Sequence, residues 1–282
     1  MLDAVTGQVL GDRQVPASRA GYRDAVSFVS ALGCATVWGV EGTNSYGAGL
    51  ARHLRVDGQH VVEVIRPNRA ERRLKGKSDP LDALNAARHV LAGTDLPTPK
   101  SGDGPVESIR VLAATRASAV KARASVLRQI AMILVSAPAV LRESLQGLTQ
   151  HNLLERLAAT RPGTDATAGV QVATAIALRS LARRHRDLGT EIDELSVMLR
   201  DLITQAAPAL LATQGVGVVT AAALLTTVGD NPDRIRTKAA FAALTGVAPI
   251  PASSGKTTRM RLNRGGDRQA NCAIHQIALV RM

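Results

Sequence analysis

Aromatic residues are nearly absent from this chain: one Trp, two Tyr and two Phe make up 2% of its 282 residues. Reading single-stranded nucleic acid by stacking bases on aromatic platforms needs more of them, so Arg and Lys contacts to phosphate must dominate any nucleic-acid binding. Cysteine is almost as scarce. Cys34 and Cys272 lie far apart, belong to no metal-ligand spacing and give no disulfide framework. Both read as buried small apolar residues in a reducing cytoplasm. The six histidines are scattered without paired spacing, which argues against zinc. No apolar run approaches the roughly 20 residues that span a bilayer. Residues 1–30 show no signal-peptide pattern. A cytoplasmic protein without a membrane partner is the expectation.

What is abundant is positive charge. Lys and Arg total 35 against 23 Asp and Glu, a formal net charge of +12. That excess favours a polyanionic partner, nucleic acid first. The length allows two domains or one domain with an elaboration.

The order of local patterns defines three regions. Residues 1–15 read as a β-meander with turns at Thr6-Gly7 and Gly11-Asp12. A helix over 18–31, a strand over 35–41, a helix over 46–55 and a strand over 60–65 follow, the alternation of an α/β sheet. A helix from Asp79 to Leu91 ends at Gly93, and residues 94–104, rich in Pro and Gly, read as a linker. Two long helices, 105–136 and about 171–206, carry heptad repeats. Leu112, Ala119, Val126 and Ile133 mark the first, flanked by Ala113, Val120, Leu127 and Leu134; Leu181, Leu188, Leu195 and Leu202 mark the second, flanked by Leu178, Ile192 and Leu199. Sustained heptads favour an antiparallel coiled-coil hairpin, or a four-helix assembly between two chains. Residues 147–170 read as a break. The resulting division is 1–100, an α/β domain; 101–206, a coiled-coil hairpin; and 207–282, a mostly helical C-terminal domain.

Four clusters carry candidate chemistry. Glu41 closes the apolar strand, and Asp79 and Asp82 sit three apart on one face at the start of a helix. Carboxylates delivered by a strand end and a helix start suit hard divalent cations such as Mg²⁺ in phosphodiester chemistry. An ordinary helix start gives the same pattern, with Asp79 as cap and Pro80 as first residue. Arg66, Arg69, Arg72, Arg73, Lys75 and Lys77 stand against the single acid Glu71 just before those carboxylates, as a phosphate-contacting loop would. Gln214-Gly215-Val216-Gly217 between helical patterns resembles a helix-hairpin-helix turn, in which Gly215 and Gly217 let a DNA phosphate approach the backbone. Ser253-Ser254-Gly255-Lys256, followed by Arg259, Arg261, Arg264 and Arg268, presents two hydroxyls beside guanidinium groups that can orient a phosphate. A flexible turn would read the same way.

Together, Gly39-Val40-Glu41-Gly42-Thr43 with Tyr46, Lys77-Ser78-Asp79-Pro80-Leu81-Asp82-Ala83, the long helical middle and Gln214-Gly215-Val216-Gly217 form an ordered series. Gly246-Val247-Ala248-Pro249, Ala252-Ser253-Ser254-Gly255 and Arg261-Leu262-Asn263-Arg264-Gly265-Gly266-Asp267-Arg268 extend it. The series resembles the bacterial insertion-sequence transposases of the one-hundred-and-ten family, described as bridge-RNA-guided recombinases. The resemblance runs over essentially the whole chain.

It implies a RuvC-like, ribonuclease-H-type N-terminal domain with an acidic tetrad that binds Mg²⁺, then a coiled coil and a C-terminal domain with a nucleophilic serine. In such proteins the serine forms a covalent link to DNA, and a structured guide RNA selects the DNA sites. Residue by residue, Glu41, Asp79 and Asp82 match the second, third and fourth acidic positions. Ser254 matches the nucleophile, with Ser253 as fallback. The first acidic position has no match. The chain is therefore expected to lack the first strand of that domain and to be truncated at both ends. DNA, a guide RNA and a homodimer or dimer of dimers are the expected partners. Two other functions fit the same residues: a catalytically inactive nucleic-acid-binding remnant, and a RuvC-like structure-selective nuclease that uses the acidic site alone.

Overall fold

The computed structural model describes residues 1–64, 79–93, 96–163, 165–231, 235–253 and 257–282. The chain divides into two compact units, one formed by residues 1–107 and 227–266, the other by 108–226 and 267–282.

The first unit is built on two parallel strands, β1 (Trp38–Glu41) and β2 (Val61–Val64), in the register Trp38↔Val61 to Glu41↔Val64. Helices α1 (Arg19–Leu32) and α2 (Ala48–Val56) cover one face, where Val40, Ala51, Leu54 and Val61 form a core with Val26, Trp38 and Leu50. Helix α3 (Asp79–Leu91) packs on the other face. Ser18 starts α1 by accepting the Gly21 N–H, the usual role of a serine at that position. The expected β-meander is reduced to a single bridge between Leu2 and Val9. Asp3 closes the turn before it, its Oδ1 accepting the N–H groups of Val5 and Thr6 and the Thr6 hydroxyl. These bonds hold the Asp3 carboxyl below the usual carboxylate range.

The second unit is helical. Helix α4 (Pro105–Ser136), which enters it from the first unit, runs antiparallel to α7 (Val170–Ala206). The pairing is fixed by Arg116 Nε donating to Ser196 Oγ at 2.7 Å and Arg123 Nε donating to His185 Nε2 at 3.1 Å. The buried row on α7 is Leu178, Ala182, His185, Gly189, Ile192, Leu199 and Ile203, a spacing of four and three. Its counterpart on α4 includes Ile109, Ala119, Val126 and Ile130. The expected leucine row, Leu181, Leu188, Leu195 and Leu202, is half-buried and lines the edge of the seam. Leu181 and Leu188 pack with Ile133 against the Val126 cluster, and Leu202 packs with Leu112 against the Ile109 cluster, while the flanking Leu178, Ile192 and Leu199 are the buried ones. Burial, reinforced by the charge of Arg123, holds the His185 pKa below its ordinary value and keeps the ring a neutral acceptor.

Two short helices missed in the sequence, α5 (Ala139–Ser144) and α6 (Gln150–Ala159), cap one end of this pair through Leu145, Leu157 and Ala158. At the other end α8 (Pro208–Leu211) and α9 (Val218–Val228) pack against Ile109, Leu199 and Ile203. In the first unit, α10 (Lys238–Leu244) is followed by a small hairpin of β3 (Ile250–Pro251) and β4 (Met260–Arg261). Helix α11 (Arg268–Arg281) belongs to the second unit. Cys272 on this helix and Cys34 just after α1 are both exposed, which corrects the expectation that they are buried: each falls on a solvent-facing position. Among the described residues no helix is long and apolar enough to cross a membrane.

Candidate active site

Glu41 is the last residue of β1, and side chains along a strand alternate between its faces. A methyl group at Gly39 would fall 2.4 Å from Val90 Cγ2 and 3.4 Å from Ala86 O, so α3 lies directly over the Gly39 face. Only glycine permits that approach. Glu41, two residues further on, shares this face. Asp79 and Asp82 occupy the first turn of α3, Asp79 exposed and Asp82 half-buried. Carboxylates at this end of a helix are favoured by the helix dipole.

The three acids thus stand on facing elements, yet they do not form a ready-made ligand set. Among the described residues no three His, Cys, Asp or Glu side chains gather closely enough to hold a metal ion. A further carboxylate, overlooked in the sequence, lies on the opposite face. Glu63 pairs with Val40, and its Oε1 accepts from the Thr43 hydroxyl at 2.7 Å and from Asn44 Nδ2 at 3.5 Å. It holds down the turn that follows Glu41. Its sequence signal was the polar break in an otherwise apolar strand.

The hairpin presents the serine region. Ile250 pairs with Arg261, and Ala252 N donates to Arg259 O at 2.8 Å. Ser253 is exposed, and its Oγ accepts the Arg259 N–H at 2.9 Å, so this hydroxyl already serves the hairpin. Arg259, Arg261 and Arg264 are exposed around it. Ser254 and Lys256 lie outside the described residues, as do Arg66, Arg69, Arg72, Arg73, Lys75 and Lys77.

The Thr245-Gly246 and Gly265-Gly266 pairs have a packing role. Gly246 has φ +71°, and a methyl at Gly266 would fall 2.3 Å from Gly246 N. The two backbones cross in contact, and Asn263 Nδ2 donates across the crossing to Ala243 O at 3.3 Å.

Gly215, Gly217 and Arg268 belong to the helical unit. Gly215 turns with φ +80° beneath α11, whose Ile277 O and Val280 lie within 3.4 Å of where its Cβ would be. Arg281 Nε donates to Gln214 O at 2.9 Å. Gly217 opens α9, its N–H accepted by Thr220 Oγ1 at 2.9 Å.

Residues 3–137 match the DEDD transposase family of the IS110 type, and residues 199–282 match the Transposase IS116/IS110/IS902 family. No curated protein matches the chain. A mixed α/β unit and a long helical pair are consistent with a DEDD nuclease-like domain plus a helical domain. The chain belongs to the IS110 family of insertion-sequence transposases. A DEDD-type domain implies dependence on a divalent metal. In chemical type, though not in spacing, the candidate ligands suit one: all are carboxylate oxygens, which hard cations prefer, but among the described residues they are not gathered into a site.

Proposed function

We propose that this chain cuts and rejoins DNA as a recombinase of its family, with Glu41, Asp79 and Asp82 holding Mg²⁺ and Ser254 as the nucleophile. The observation that carries the reading is that residues 1–107 and 227–266 belong to one compact unit. The acidic face and the β3–β4 hairpin, with Ser253 at the end of the described stretch, are parts of one compact unit. The metal would supply neutralisation of charge developing on the phosphate oxygens. The Ser254 hydroxyl oxygen attacks phosphorus and gives up its proton to solvent. The phosphoserine bond forms as the bond from phosphorus to the deoxyribose oxygen breaks, and that oxygen leaves as a hydroxyl after taking a proton from solvent. Arg259 and Arg261 orient the phosphate from the hairpin. A structured guide RNA would choose the DNA sites, and two or four copies would bring two duplexes together.

The test is trapping of a covalent protein–DNA adduct with Mg²⁺, a plasmid carrying the element and RNA transcribed from it. Ser254→Ala should abolish the adduct and Ser253→Ala only reduce it. Undiminished adduct in the double variant would sink the serine assignment. Unchanged strand cleavage by Ser254→Ala would favour a nuclease that uses the acidic site alone.

Binding of either nucleic acid should weaken steeply with salt, since each neutralised phosphate releases counterions. Replacing Arg69, Arg72 and Arg73 by Ala should lower the slope of log K against log salt by about 1 for each phosphate left without its cation. An unchanged slope would mean that this run is merely solvated.

A further inference from the structure

The Pro- and Gly-rich stretch expected as a free linker is bonded on both sides. On one side Glu63 N–H donates to Pro97 O at 2.8 Å, Arg52 Nη1 to Gly102 O at 3.1 Å and Arg55 Nη1 to Ser101 O. Arg55 also pairs with Asp103 at 3.6 Å. On the other side stand Asp230 and Asn231, just beyond α9. Asn231 Nδ2 donates to Pro99 O at 3.0 Å, and its Oδ1 accepts the Ser101 N–H at 2.8 Å. Asp230 Oδ1 accepts the Val106 N–H at 2.9 Å, capping the first turn of α4 from 124 residues away. Gly104 makes this possible: a methyl there would fall 2.5 Å from Asp230 Cγ.

We propose that Asp230 and Asn231 are positioning residues for the recombination reaction. They clamp residues 99–106, and so hold the serine-bearing stretch 227–266 onto the α/β layer that carries Glu41. The inference rests on the reading that the hairpin serine and the acidic face act in one reaction. Asp230 offers an oxygen to an N–H that would otherwise lack an intrahelical partner, and Asn231 uses both ends of its amide on one strand of backbone. Neither needs to touch DNA.

Test the full chain by hydrogen exchange and by adduct trapping, with the same plasmid, RNA and Mg²⁺. Asp230→Ala should speed exchange at Val106 at least tenfold while the amides of the Leu178–Leu199 core stay protected. Adduct yield should fall at least tenfold, with plasmid binding within twofold of the parent. Asp230→Asn, which keeps an acceptor oxygen, should restore both. Gly104→Ala should reproduce Asp230→Ala by displacing the carboxylate, and the double variant should be no worse than either single one. Adduct yield within twofold of the parent in Asp230→Ala and in Gly104→Ala would overturn the proposal. Failure of the serine reading shows differently, as an adduct that persists in the Ser253→Ala, Ser254→Ala double variant.

Discussion

Glu41→Gln should abolish metal-dependent strand cleavage and leave the fold intact. The substitution is isosteric and removes only the charge. Loss of one ligand to a metal that stabilises transition-state charge by several kcal/mol corresponds to a fall in rate of about 10²–10³-fold. Glu41 is exposed at the end of β1, so unfolding should shift by no more than about 2 °C. Asp82→Asn, from the facing helix, should behave alike. Glu63→Gln is the control: it lies one pairing position away but on the other face, and it serves Thr43 rather than the site. Cleavage should survive there. If Glu63→Gln abolished cleavage and Glu41→Gln did not, the assignment of faces would be wrong.

Leu199→Asp should unfold the helical unit, at a cost of about 3–5 kcal/mol, because it buries a charge with no partner. Leu199 is 1% exposed between Ile109 and Ile203. Leu195→Asp, four residues earlier in the half-buried flanking row, should cost a small fraction of that. Urea unfolding followed by circular dichroism separates the two. Equal effects at both positions would mean that the seam is not the Leu178-to-Ile203 row.

That comparison shows where the sequence was legible. The heptad period and the span of both long helices were readable, because 32 and 37 residues of regular pattern leave little ambiguity. The register was readable only in part. Counting large apolar residues centred the row on Leu181 with Leu178, Ile192 and Leu199 beside it, whereas the buried row also contains Ala182, His185 and Gly189, small or polar residues that admit Arg123 from the partner helix. In the α/β unit, α3 was readable to the residue because Asp79-Pro80 opens it and Gly93 follows its end. Helix α6 was lost in a stretch read as a break. It has only 10 residues, too few to be stable alone, and forms by packing Leu157 and Ala158 on α7. Among the described residues the meander shrinks to the Leu2–Val9 bridge, and residues 11–15 form no strand.

The site divides in the same way. Glu41, Asp79 and Asp82 carried local signals, a strand end and a helix start. The Asp230–Asn231 clamp joins residues more than 120 positions apart, so no window of sequence holds both sides and no local pattern betrayed it. Both sides of the Gly246–Gly266 crossing stood out as motifs, but nothing local showed that their backbones touch.

The central claim, that a serine of the hairpin becomes covalently joined to DNA, is tested most directly by mass spectrometry of the trapped adduct after trypsin and nuclease digestion. The nucleotide remnant should be carried by the peptide from Ala239 to Lys256 and localise to Ser254 on fragmentation. A remnant on any other peptide, such as one containing the fully exposed Tyr46, or cleaved DNA with no peptide attached, would contradict it.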